Sequence, residues 1–243
     1  MESSEIYTQK NAGNVSELAK NLKLSEIQGK IGMGHTRWAT HGEPTDLNAH
    51  PHLDQTGKIT LIHNGIIENY NSIKNVLIEK GYEFQSETDS EVLVQFISDI
   101  YFSDGLSFGQ AVQVALTQVI GAYGIVTFCS EEPDTLVAAR HGSPMVLGLG
   151  EDDYFIASDA SPIVDYTRNV VYLDENEIVT IKNGSHEIRS MKNDKVIQLF
   201  IISIFVFLWS GTSEALLGGY YFPTTFYLLV MPLYINNVFK NNL

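Results

Sequence analysis

An α+β fold is predicted from two regularities in the order of the chain. Apolar residues recur at helical spacing through much of the first half, whereas from Ala122 onward they alternate at the strand period. Grouped helices followed by grouped strands build separate layers, not alternating βαβ units. No internal repeat and no low-complexity tract interrupts this order.

The elements follow in sequence. Val15, Leu18, Ala19 and Leu22 share one face of a short amphipathic helix. Residues 30–34 alternate weakly and suit a strand entering a polar block, and residues 58–62 read as a buried strand that ends at His63-Asn64-Gly65. Ile73, Val76 and Leu77 mark a helix closed by Gly81, the residue that most easily turns left-handed after a helix. Thr88 and Glu91 form a capping box, in which hydroxyl and carboxylate satisfy open backbone N–H groups, ahead of the apolar face Val92, Leu93, Phe96, Ile97 and Ile100. Ser107 and Gln110 open another helix in the same way, with Phe108, Ala111, Val112, Ala115, Leu116 and Val119 on one side. Strands are expected at 123–128, 135–139, 145–149, 154–157, 170–173 and 177–181, with Asn183-Gly184 as a tight hairpin into 185–188.

The 243 residues suffice for one large domain or two small ones. A net charge of −14 argues against a nucleic-acid surface, since attraction to phosphate needs clustered Lys and Arg. One cysteine, Cys129, leaves no disulfide framework and no Cys-rich metal site, which suits a reducing, cytoplasmic setting. The N-terminus lacks the basic and apolar regions of a secretory signal. Between positions 196 and 239 the only Asp, Glu, Lys, Arg or His is Glu214, so a boundary is placed after residue 191, with 192–243 as a separate apolar segment.

Three polar blocks concentrate chemistry: Gly34-His35-Thr36-Arg37-Trp38-Ala39-Thr40-His41-Gly42, Asn48-Ala49-His50-Pro51-His52 and His63-Asn64-Gly65-Ile66-Ile67-Glu68-Asn69. Asn64-Gly65 between apolar residues is, as a dipeptide, a hairpin signal. Its other reading is a pair of N–H donors aimed at one carbonyl oxygen, an oxyanion hole for acyl transfer. Arg37 is by default a surface ion-pair residue, but a guanidinium among hydroxyls and imidazoles also suits a bidentate grip on a carboxylate. Asp89 at a helix start complements the helix dipole and could equally receive an ammonium group. His35, His41, His50, His52 and His63 read as hydrogen-bonded structural groups. No carboxylate stands among them at a known ligand spacing, so no metal is expected. Ser143 lacks the trailing glycine of a nucleophile elbow, and Cys129 reads as an inert core thiol.

Together with Glu87-Thr88-Asp89-Ser90-Glu91-Val92, these blocks resemble the glutaminase domain of the glutamine–fructose-6-phosphate aminotransferases, over residues 6–191. The resemblance implies an N-terminal-nucleophile hydrolase fold of the class II glutamine amidotransferases, an αββα sandwich. It implies hydrolysis of L-glutamine to supply ammonia for glucosamine 6-phosphate formation. Arg37 would hold the substrate α-carboxylate and Asp89 its α-amino group. Thr40 and His41 would line the pocket, Asn64 and Gly65 would form the oxyanion hole, and Trp38 would gate the passage of ammonia. No cofactor and no metal are implied, and fructose 6-phosphate would be met only through a separate sugar domain.

Two departures from the family pattern are expected to matter. The nucleophilic cysteine at a mature N-terminus, with the strand that carries it, is absent, so the fold is expected to be incomplete there and the chain inactive as a glutaminase. After Lys195 the chain turns apolar where the family continues into sugar-isomerase subdomains. The segment 196–235 reads as sequence unrelated to the family, as a membrane hairpin, although its first apolar run is shorter than the roughly 20 residues that span a bilayer, or as a buried packing segment, although it lacks helical or strand periodicity. The alternatives to a glutaminase part are a non-catalytic glutamine-binding module and a membrane-tethered fragment.

Overall fold

The computed structural model describes residues 5–22, 29–37, 43–191 and 228–230. The helices are α1 (Val15–Asn21), α2 (Tyr70–Glu79), α3 (Asp89–Asp104) and α4 (Phe108–Thr117). The strands are β1 (Met33–His35), β2 (His52–Leu53), β3 (Ile59–Ile67), β4 (Gly121–Cys129), β5 (Thr135–His141), β6 (Val146–Leu149), β7 (Tyr154–Ala157), β8 (Val170–Tyr172), β9 (Glu177–Lys182), β10 (Ser185–Ser190) and β11 (Leu228–Val230).

A six-stranded antiparallel sheet in the order β10-β9-β5-β4-β3-β2 forms the centre, and a three-stranded sheet, β7-β6-β8, faces it. The period-2 alternation of strand side chains divides the residues of the large sheet between two cores. Ile59, Leu61, Ile125, Val137 and Ala139 point to α3 and α4, where they pack with Leu93, Ile97, Phe108 and Val112. Their neighbours Ile62, Val126, Leu136 and Ala138 point the other way and meet Leu147 and Ile156 of the small sheet. Each of these fully buried Leu, Ile or Phe side chains contributes about 1.5–3 kcal/mol relative to exposure. The outer face of the small sheet is closed by Ile163, against Val146, Phe155 and Ala157. The α+β reading therefore holds, as a helical layer on two stacked sheets.

The caps differ in detail from expectation. Asn14 caps α1 by accepting from the Glu17 N–H at 3.1 Å, and Gln110 accepts the Ser107 N–H at 3.1 Å ahead of α4. At α3 only half of the expected box forms. The Thr88 hydroxyl accepts the Glu91 N–H at 3.2 Å, but the Glu91 carboxylate turns to the N–H groups of Gln85 and Ser86, at 2.8 and 2.6 Å. The carboxylate thus closes the preceding loop, which has more open donors than Thr88. On α2, Ile73 and Leu77 are buried while Val76 is exposed, because the helix packs through a stripe too narrow to include it.

Two strands depart more widely from the sequence reading. β3 does not stop at His63: it runs to Ile67, since the nine residues of β4 pair with it from Ile59↔Cys129 to Ile67↔Gly121. β1 starts later than expected, at Met33, and its partner is β11 in the register Met33↔Val230 to His35↔Leu228. The remainder of the apolar segment 196–235 lies outside the described residues. Among the described residues no helix is long and apolar enough to cross a membrane.

Candidate active site at the ends of β1 and β3

Asn64 sits in the interior of β3, opposite Gly124 of β4. Even-numbered side chains of β3 face the small sheet, so Asn64 points towards β1 while His63 points towards α3. The side-chain oxygen of Asn64 lies 2.8 Å from His35 Nε2, and its main-chain oxygen accepts the Ser143 hydroxyl at 2.9 Å. Gly65 follows at φ 138°, and a Cβ there would lie 2.0 Å from the Ala122 carbonyl oxygen. No L-side chain fits that position, which explains glycine next to Asn64 without a hairpin. The turn reading of this dipeptide is overturned by the continuous β3–β4 ladder.

Asp89 is the first residue of α3 and is almost completely buried. Its Oδ2 accepts the Ile67 N–H at 2.8 Å, so the helix start is fastened to the end of the strand that carries Asn64 and Gly65. His63 stands beside it, with Nδ1 2.9 Å from Ser90 Oγ and 3.9 Å from Asp89 Oδ2. Arg37, two residues beyond β1, donates to the Glu43 carbonyl at 3.3 Å, and the same carbonyl accepts from Asn48 Nδ2 at 3.1 Å. Partial burial lowers the guanidinium from its ordinary value, and the opposing influence is the negative charge of Asp89. Trp38, Thr40 and His41 lie outside the described residues.

Four imidazoles are packed behind these groups. The rings of His35 and His50 are 4.2 Å apart, and those of His50 and His52 are 4.9 Å apart. His52 Nε2 lies 3.1 Å from the Thr88 hydroxyl, which links this cluster to the cap of α3. Burial is the first cause that lowers all four, His35 to about 4 and His52 to about 3, with His50 and His63 moved in the same direction. Burial thus favours the neutral form of each ring. Among the described residues no group of three or more His, Cys, Asp or Glu is placed to hold a metal ion.

Cys129 is buried at the opposite end of the β3–β4 ladder, paired with Ile59, and burial raises its thiol. It is the single cysteine of the chain and lies at the wrong end of the ladder to serve the Asn64 site. Sequence reasoning missed two contributors: Ser143, 79 positions from Asn64, and Asn48, whose Oδ1 accepts the Glu87 N–H at 3.0 Å. Nothing in local spacing signals the first. The second lies in the block Asn48-Ala49-His50-Pro51-His52, where residue type alone assigns it no role.

A family model described as a glutamine amidotransferase domain matches residues 23–198. A glutamine–fructose-6-phosphate aminotransferase of Bacteroides thetaiotaomicron is 50% identical over 183 residues, which cover 75% of this chain and 30% of that protein. One from Chlorobaculum tepidum is 50% identical over 188 residues, 76% of this chain and 31% of that protein. The chain thus spans about 30% of the length of these relatives. Among solved structures, a glutamine phosphoribosylpyrophosphate amidotransferase from B. subtilis superposes with a TM-score of 0.62 at 25% identity, covering 75% of this chain and 39% of that one.

Proposed function

Because this chain belongs to the glutamine amidotransferase domain family, we propose that it provides the L-glutamine pocket of the glutaminase part of a glutamine–fructose-6-phosphate aminotransferase. What supports this reading is that Asp89 is fastened to Ile67 at the end of the same strand that carries Asn64 and Gly65. There the Asn64 carboxamide and the Gly65 N–H serve as donors to the oxygen of a substrate carboxamide under attack. Arg37 binds the α-carboxylate and Asp89 the α-ammonium group, which places the two ends of a zwitterion on opposite charges. By family likeness Thr40 and His41 are assigned to substrate binding and Trp38 to the gating of ammonia.

In this reading the pocket orients glutamine and stabilises the oxyanion, while the thiol that attacks and the amine that takes its proton are not among the described site residues. The released ammonia is then consumed in amination of fructose 6-phosphate on a separate domain.

Thermal unfolding at increasing L-glutamine tests the pocket, since a ligand of the folded state raises Tm by mass action. The expected result is a rise with L-glutamine and none with D-glutamine; no rise with either would contradict the reading. Ammonia release in the same samples separates binding from hydrolysis. Turnover that is lost in Arg37→Ala would show a complete glutaminase.

A further inference from the structure

We propose that His35 is the positioning residue that holds the Asn64 carboxamide with its oxygen inward and its NH2 group towards the ligand. The inference rests on the glutamine-pocket reading, because it assigns to His35 the orientation of that pocket's oxyanion donor. A carboxamide has two nearly isosteric ends, a donor and an acceptor. Rotated by half a turn, Asn64 would present lone pairs to a developing oxyanion and repel it. Something must therefore select one orientation.

The geometry supplies the selector. His35 is the last residue of β1, and its Nε2 lies 2.8 Å from Asn64 Oδ1. That contact is a hydrogen bond when the ring carries its proton on Nε2, and Asn64 Oδ1 then accepts it. The His63 main-chain carbonyl is a second acceptor beside the ring; a neutral imidazole has a single N–H, so when Nε2 carries it the tautomer at His35 and the orientation at Asn64 are one choice. The ring is held from behind by His50 at a 4.2 Å centroid separation. Asn64 itself is anchored by the Ser143 hydroxyl on its carbonyl oxygen and by the strand pairing opposite Gly124. With the main chain and the side-chain oxygen both engaged, the NH2 group is what Asn64 offers to a ligand. The burial that keeps His35 neutral also keeps it a one-donor group at pH 7.

Nitrogen-15 NMR of the labelled chain tests this without any substitution. The expected spectrum shows His35 with a protonated Nε2 and a bare Nδ1; the opposite tautomer would overturn the proposal, because the ring would then accept from Asn64 and turn its oxygen outward. Two variants extend the test. His35→Gln keeps an N–H where Nε2–H lies and is expected to retain the wild-type Asn64 side-chain amide signals, whereas His35→Leu fills the space without a donor and is expected to shift or split them. In titrations, His35→Leu should bind L-glutamine about tenfold more weakly while binding L-norvaline, which lacks the carboxamide, as the wild type does. His35→Gln should restore the preference. Equal loss for both amino acids would reduce His35 to a packing role and overturn the proposal. If no form binds either amino acid, the pocket reading fails, and the tautomer and amide signals still decide the orientation.

Discussion

Asp89 Oδ2 accepts the Ile67 N–H at 2.8 Å, so one carboxylate both begins α3 and ends β3. In the proposed pocket the same carboxylate also faces the substrate ammonium group, and the two duties separate by substitution. Asp89→Ala removes an acceptor from a buried N–H and is expected to cost about 1.5–3 kcal/mol of stability, the range for hydrogen bonds to charged groups. Asp89→Asn keeps an oxygen for Ile67 and loses the charge, so it should retain most of the stability and bind glutamine at least tenfold more weakly. Urea unfolding of both variants beside glutamine titration checks the division.

Gly65→Ala is expected to destabilise the domain severely. A Cβ would lie 2.0 Å from the Ala122 carbonyl oxygen at a φ of 138°, and its nearest neighbours are all main-chain atoms of Ala122 and Tyr123, with no flexible side chain to yield. A loss of about 3 kcal/mol or more, at the high end for single substitutions, is the expected result of thermal or urea unfolding. Gly184→Ala, also at positive φ but with open space around its Cβ, should cost less.

These two glycines show how much of the fold was legible in the sequence. Asn183-Gly184 forms the expected hairpin, with φ of 51° and 72° supplied by local preference alone. Asn64-Gly65 carries the same dipeptide between apolar residues, yet it lies inside a nine-residue strand. What decides the second case is β4, which begins more than fifty positions later and pairs across it. The faces of α3 and α4, most caps and most strands were readable because periodicity and capping are local, whereas the expected apolar face of α1 leaves Val15 exposed. The site was readable as a set of residue types and, through family likeness, as roles. Contacts such as Ser143 to Asn64 were not, because they depend on which strands the topology brings together. Glu91 was misassigned for a related reason: its carboxylate had a loop to satisfy that spacing within the helix does not reveal.

The buried imidazoles predict a steep loss of stability in acid. His35 and His52 have folded values of about 4 and about 3, below the unfolded value near 6.5, and His50 and His63 are moved in the same direction by burial. The unfolded chain therefore binds more protons than the folded one below pH 6.5. Stability is complete above that value and falls as the pH drops through it, by about 1.4 kcal/mol per pH unit for each histidine well inside the window. Urea midpoints from pH 7.5 to 5 should decline accordingly, and His52→Gln should lessen the slope by one proton. A flat profile would show that the imidazoles are hydrated or charged in the folded state.

Cys129 should behave as a core thiol. It is completely buried, and burial raises its thiol from the ordinary value. Reaction with a water-soluble disulfide reagent is expected only on unfolding, and Cys129→Ala should leave glutamine affinity unchanged while costing about 1 kcal/mol through lost packing. Rapid labelling of the native chain would contradict the burial.

In the proposed L-glutamine pocket, Arg37 and Asp89 grip the two charged ends of the ligand while Asn64 and Gly65 face its carboxamide. Calorimetric titration of the chain with L-glutamine, run beside Arg37→Ala, tests it most directly. Saturable binding near one glutamine per chain is expected, with a loss of at least tenfold in affinity in Arg37→Ala, whose unfolding midpoint stays close to that of the parent. Binding that is unaffected by the substitution, or no binding by a chain whose fold is intact, would contradict it.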